Sequence, residues 1–195
     1  MSAKLKQQTP VVIELPRMDI QRVEIKLIGD APLICHKWSA KAKKEMRDKQ
    51  MKKATPKKSA KNPKEDYEES LYKRAGGGYG FPAVAFKAAA IDACSHISGI
   101  TKVVARGAFH IDEEMVKIIG RPSMREDMVR IGMGTADIRY RGEFKKWSTK
   151  FVVRYNASVI SVDQIFNLFN TAGFAIGVGE WRPQKNGSYG LFHVG

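Results

Sequence analysis

The stretch that decides the fold is Gly80-Phe-Pro-Ala-Val-Ala-Phe-Lys-Ala-Ala-Ala-Ile-Asp-Ala-Cys-Ser-His-Ile97. Proline at 82 suits a first helical turn, and Ser98-Gly99 supplies a stop. Val84, Ala88, Ile91 and Ser95 fall on one stripe, widened by Phe86, Ala90 and Ala93. So many alanines predict a helix lying close on a sheet. Upstream, Arg22 to Ile28 alternates apolar and polar residues, the period of a half-buried strand, with Val23, Ile25 and Leu27 inward. Downstream, Val103 to Ile111 and Met115 to Ile119 read as strands, Arg121 to Gly134 as irregular, and Thr149 to Asn156 as a strong strand. Ser161-Val-Asp-Gln164 is a capping box that opens a second helix ending near Gly173. Tyr189 to Val194 reads as the last strand. The order is β–α–β–β–α–β, which predicts an α+β, ferredoxin-like (RRM-like) core with both helices on one face of an antiparallel sheet.

Between the first strand and the first helix the composition changes. Lys37 to Lys64 holds twelve basic residues and two acids, so it carries +10 of a net +14. Ser39 to Lys53 is helix-compatible, and Thr55-Pro56 interrupts it. Lys57 to Lys64 reads as a mobile linker, Glu65 to Lys73 as a short helix, and Gly76-Gly77-Gly78 as a loop. Residues 37–80 are therefore expected to form a lysine-rich insertion projecting from the core. Residues 1–19, with Val11-Val12-Ile13 between Pro10 and Pro16, read as an N-terminal arm or edge strand.

Thirty-four Lys and Arg face twenty Asp and Glu, with a pI near 9.8. Such a field repels itself in the folded state, and a polyanionic partner is its natural explanation. No run approaches the ~20 apolar residues of a membrane span, and Met1 to Pro10 lacks the apolar core of a signal peptide. Cys35 and Cys94 are read as free thiols of a reducing cytosol. His36, His96, His110 and His193 are scattered and neither cysteine lies near one at ligand spacing, so no catalytic set, metal site or cofactor is expected. Asp112-Glu113-Glu114 reads as a solvated turn.

Three stretches carry binding chemistry. Lysines of the basic run offer point charges for phosphates without the fork that reads bases. Arg139 to Tyr155 interleaves cations with Tyr140, Phe144, Trp147, Phe151 and Tyr155, as cationic grooves with stacking platforms do. An ordinary hairpin with aromatics inward is the competing reading, favoured for Phe151 and Tyr155 and left open for Tyr140 and Trp147. Gly177-Val-Gly-Glu-Trp-Arg-Pro-Gln-Lys-Asn-Gly-Ser-Tyr-Gly190 combines Gly177 and Gly179 with Arg182 and Lys185, so that amides and cations together could meet a phosphate.

The first strand running into Ala31-Pro32-Leu33-Ile34, the proline-led helix with Pro82, Lys87 and Ala89, and the late loop with Gly177, Gly179, Gly187 and Gly190 occur in that order over residues 22–194. This resembles the RAMP superfamily, the modified RNA-recognition folds of CRISPR effector backbone subunits, and the ending is similar to small phage or prophage proteins of that type. The resemblance implies one RAMP-like domain over 1–195, with the insertion as thumb or finger. It further implies a cytoplasmic, non-enzymatic protein that coats single-stranded RNA or DNA, largely without sequence preference, as a homo-oligomeric filament. On that reading Lys41, Lys44, Lys52 and Lys53 contact phosphates, and Arg139, Arg141, Lys146, Arg182 and Lys185 line the groove. Trp147 and Trp181 are the stacking platforms. No metal, membrane or small-molecule substrate is expected. The alternatives are a structural or assembly protein of a phage particle and a RAMP-type nuclease.

Overall fold

A computed structural model of the chain describes residues 17–53, 60–132 and 134–195. The expected strand at Val11–Ile13 and the linker lysines Lys57 and Lys58 lie outside the described residues. The elements are β1 (Ile20–Gly29), β2 (Leu33–Cys35), α1 (Ala40–Gln50), α2 (Pro63–Ser70), β3 (Tyr79–Pro82), α3 (Ala83–Ala93), α4 (Lys102–Ala108), β4 (Phe109–Ile111), β5 (Met115–Ile131), β6 (Thr135–Asn156), α5 (Val162–Thr171) and β7 (Phe192–Val194). This is an α+β protein. Its strands pair antiparallel in the order β3-β5-β6-β1-β7, and β2 and β4 also pair with β6.

The core fills one face of the sheet. Ile25 and Leu27 of β1, Val116 and Ile118 of β5, and Phe151 and Val153 of β6 are buried under α3 and α5. Phe86 is the hub, with ring centroids 5.6 Å from Phe151, 5.9 Å from Phe192 and 6.4 Å from Trp147. Ser161 caps α5 as the capping box predicts: its hydroxyl accepts from Gln164 N while the Gln164 side chain accepts from Ser161 N.

The structure corrects several expectations. The buried side of α3 is Phe86, Ala89, Ala90 and Ala93, whereas Val84, placed inward by the stripe, is 70% exposed. Val103 to Ala108 is helical, because the Thr101 hydroxyl accepts from Val104 N and Ala105 and Ala108 face the core; only Phe109 to Ile111 is strand. Arg121 to Gly134 is not irregular: it pairs with β6 out to Ile131 and Thr135, closing on a turn where Gly132 and Gly134 take positive φ. The final strand is shorter than expected, beginning at Phe192.

The described parts of the insertion differ. Among the described residues α1 buries no side chain. By contrast, Leu71 is in the core, the Ser70 hydroxyl accepts from Gly142 N at 2.7 Å, and β3 joins the sheet.

The largest correction concerns Trp147. Gly120 pairs with Trp147 and Pro122 with Phe144, so β6 carries one extra residue here, a β-bulge. The bulge turns both Phe144 and Trp147 inward and leaves Lys145 and Lys146 exposed. Trp147 is 4% exposed, its Nε1 donates to the Ala31 carbonyl at 2.9 Å, and it closes over Gly29, where a Cβ would collide with the indole. It belongs to the core and is no stacking platform. Trp147→Ala is expected to cost about 3–5 kcal/mol in urea unfolding. A loss below about 1 kcal/mol would contradict this placement.

Candidate nucleic-acid interface

The alternation that buries Ile25 and Leu27 turns Arg22, Glu24 and Lys26 to the opposite face. On β6 the exposed alternates are Lys150 and Arg154, joined by Lys146 at the bulge; on β5 they are Lys117, Ile119 and Arg121. In register, Arg22 stands opposite Arg154 and Lys26 opposite Lys150. Like charges directly opposed across strands destabilise a sheet by roughly 0.2–1 kcal/mol each. Two carboxylates offset part of this. Glu24 pairs with Lys150 at 2.8 Å, and Asp112 lies 3.6 Å from Arg22 and 3.3 Å from Arg154. Among the described residues no carboxylate pairs with Lys26, Lys117, Arg121 or Lys146. The open face is a cation ladder.

The ladder ends at an aromatic clasp. Ser123, Arg125 and Asp127 continue the alternation of β5, and the bulge brings Glu143 and Arg141 of β6 to the same face. Arg125 donates to Asp127 at 2.7 Å, to Glu143 at 2.8 Å and to the Tyr189 hydroxyl at 3.2 Å. Its guanidinium lies 5.2 Å from the Trp181 ring and 4.8 Å from that of Tyr189. Although burial disfavours its charge, those hydrogen bonds raise the Arg125 pKa above the ordinary guanidinium range. Trp181 is half-buried and takes φ 51, unusual for a bulky residue, so its ring is set by the loop around it.

That loop uses its glycines for close approach. A Cβ at Gly187 would meet the Trp181 carbonyl and one at Gly179 the Ile34 carbonyl. The amides of Gly177, Val178, Glu180 and Gly190 donate to Ala172, Gly190, Ile34 and Pro32 carbonyls respectively. Those four amides are spent inside the protein, which corrects the expectation of a phosphate cradle built on Gly177 and its neighbours. Arg182 is turned toward its own loop, donating to the Gly179 carbonyl at 3.0 Å and to Gln184 at 3.0–3.1 Å. Glu180 lies 3.3 Å from His36 Nδ1, and that contact, against the opposing effect of burial, holds its carboxyl below the usual range.

The expected site residues therefore divide. Lys146 and Trp181 share the open face. Lys41 and Lys44 are exposed on α1, and Lys52 and Lys53 just beyond it, with Lys53 3.4 Å from Asp48. Lys185 is exposed beyond Arg182, and Arg139 is paired with Asp137 at 2.8 Å. Arg141 cannot line a groove: it is 5% exposed, 3.3 Å from Asp127, with its guanidinium 5.3 Å from the Trp181 ring. Sequence reasoning missed Arg22, Lys26, Lys117, Arg121, Lys150 and Arg154. The signal was the outward phase of the same alternation that assigned Val23, Ile25 and Leu27 to the core.

Among the described residues no group of three or more His, Cys, Asp or Glu is placed to hold a metal ion, and no helix is long and apolar enough to cross a membrane. No family model matches the chain, and the search of curated proteins found no match. The crystal structure of Cmr6 from Pyrococcus furiosus is similar at a TM-score of 0.48 and 10% identity, over 92% of this chain and 100% of that one.

Asp92 of α3 ties the glycine-rich loop down, accepting from Lys102 at 2.9 Å and from Gln184 at 2.7 Å. The bond from Lys102, helped by Gln184 against the opposing effect of burial, holds its carboxyl below the usual range. A depressed carboxyl contributes stability that is complete above the unfolded value near 4 and is lost as pH falls through the folded value. Asp92→Asn should lower the melting temperature at pH 7 by the equivalent of about 0.2–1 kcal/mol. The gap to the unaltered protein should close below pH 4 in thermal melts; a gap constant across pH 3–7 would refute the assignment.

Proposed function

We propose that this chain is a RAMP-like, non-enzymatic, cytosolic binder of single-stranded nucleic acid that lays the strand along the open face of its sheet. The observation that carries the reading is the cross-strand pairing of cations, Arg22 with Arg154 and Lys26 with Lys150. An arrangement that costs stability in the free protein is relieved when phosphates arrive between the charges. In this reading β1, α3, β5, β6, α5 and β7 form a ferredoxin-like core whose strands lie in the order β7-β1-β6-β5. The α1 arm, with no buried residue, supplies further phosphate contacts from beside the core.

A single strand is favoured over duplex by what lies among the cations. Ile119 is 57% exposed between Lys117 and Arg121, and Trp181 and Tyr189 stand at the ladder's end. These are base-facing surfaces, which a duplex hides from its partner. Little sequence preference is expected, because Arg22, Arg125 and Arg154 already face carboxylates, while lysine reads charge and not base edges. Successive copies along one strand give the filament that this mode of binding favours.

Affinity for a single-stranded oligonucleotide should fall with salt at a log–log slope of about −0.7 per phosphate contacted. The double change Lys26→Gln, Lys150→Gln should weaken binding and make the slope shallower by about 1.4, while leaving the melting temperature unchanged or higher. Unchanged affinity with a lower melting temperature would mean that the ladder serves the fold and not a ligand.

A further inference from the structure

A second concave surface borders the ladder at the β4 edge, where His110 stands opposite Arg154. A cavity of about 700 Å³ opens where the chain enters α1, between the first turn of α3 and β4. Trp38, Lys43, Val84, Lys87, His110 and Met115 are among its walls. Its volume is that of a small-molecule site. Trp38 is 56% exposed and Val84 70%. Singly, exposed apolar side chains are ordinary; here two of them line one cavity together with cations.

Of Lys43 and Lys87, the latter is anchored. Lys87 Nζ donates to the Arg106 carbonyl at 3.2 Å and lies 3.1 Å from His110 Nδ1, which leaves one of its three donors for a ligand. Burial lowers the pKa of Lys87, and burial followed by the nearby charges of Lys87 and Arg154 lowers that of His110. Asp112 opposes the shift at His110. Pro82 occupies the N-cap of the eleven-residue α3, whose first amide, Ala83 N, donates to the Glu114 carbonyl at 2.9 Å, and no side chain caps the rest of the first turn. The backbone just before Trp38 is tied to α2, since Lys37 N donates to the Ser70 carbonyl at 3.0 Å. Glu113 and Glu114 also border the cavity, with Glu113 3.9 Å from Arg74. Two carboxylates beside the cations disfavour a polyphosphate and suit a single phosphate joined to a group with hydroxyl or amino donors.

We propose that this cavity binds one nucleotide, with its phosphate on Lys87 and Lys43 and its base against Trp38 and Val84. The ligand class rests on the nucleic-acid reading, but the four residues that would hold the nucleotide are not among the ladder's cations. The test is calorimetric titration of the full chain with AMP, with adenosine and with a single-stranded oligonucleotide, for the unaltered protein and for Lys87→Gln, Lys43→Gln and Trp38→Ala. AMP should bind. Lys87→Gln should weaken AMP about tenfold or more, as loss of a charge-assisted hydrogen bond does, and leave adenosine unchanged. Trp38→Ala should weaken both. Lys43→Gln, on a helix with no buried residue, gives the same directional test should Lys87→Gln prove unstable. Absence of AMP binding, or equal AMP affinity in all variants, overturns the proposal. Strand binding without AMP binding removes the cavity and leaves the ladder; AMP binding with the expected variant pattern but no strand binding removes the ladder and keeps the cavity.

Discussion

One extra residue in β6 sets the two faces of this protein. Between Phe144 and Trp147 the strand bulges opposite Arg121, and the phase of its side chains changes. On one side of the sheet this lets both aromatics point inward. Trp147 packs 6.4 Å from Phe86 and 6.2 Å from Phe192, and Phe144 meets Tyr79 at 5.6 Å. On the other side, Lys145 and Lys146 are pushed out together, and Arg141 and Glu143 come onto the face that already carries Arg125 and Asp127. An unbulged ladder would keep Trp147 in the core and send Phe144 into solvent. The indole also holds the exit of β1, through Ala31 and the tight approach to Gly29, and so starts the bend that carries the chain into β2.

The cation ladder is affordable because the opposite face is so well packed. Phe86, Phe151, Phe169 and Phe192 are all buried, and each such side chain contributes about 1.5–3 kcal/mol on burial. A few opposed lysine and arginine pairs at the surface, screened by solvent, cost less than one of them. Where charge is buried instead, at Arg125, Arg141, Asp127 and Glu143, the groups are joined in one ion-paired cluster, with Trp181 and Tyr189 over the guanidinium of Arg125. On the open face Arg22, Lys150 and Arg154 each lie near a carboxylate, whereas among the described residues Lys26, Lys117, Arg121 and Lys146 do not.

The regular parts of this fold were legible because their signals are local. Period two in Arg22 to Ile28, the alanine-rich helix from Pro82 and the Ser161–Gln164 box each fix an element within a few residues. The long hairpin was not legible, since Arg121 to Ile131 holds mostly polar residues whose partners are across the turn and not beside them in sequence. Val103 and Val104 suggested a strand, and only the Thr101 cap with Ala105 and Ala108 made the segment helical. For the interface, the lysines of α1 were visible as composition. The cations of the ladder were visible only as the outward half of a pattern read for its inward half. Arg141 and Trp147 misled because a basic or aromatic residue in an exposed-looking segment carries no mark of the bulge that buries it.

The sheet face is tested most directly by photo-crosslinking the protein to a single-stranded oligonucleotide and mapping the joined peptides by mass spectrometry. A strand laid along that face, as proposed, gives crosslinks in Arg22–Lys26, Lys117–Arg121 and Lys146–Arg154, together with Trp181 or Tyr189. Crosslinks confined to α1 and the lysines that follow it, with the sheet peptides clean, would contradict it.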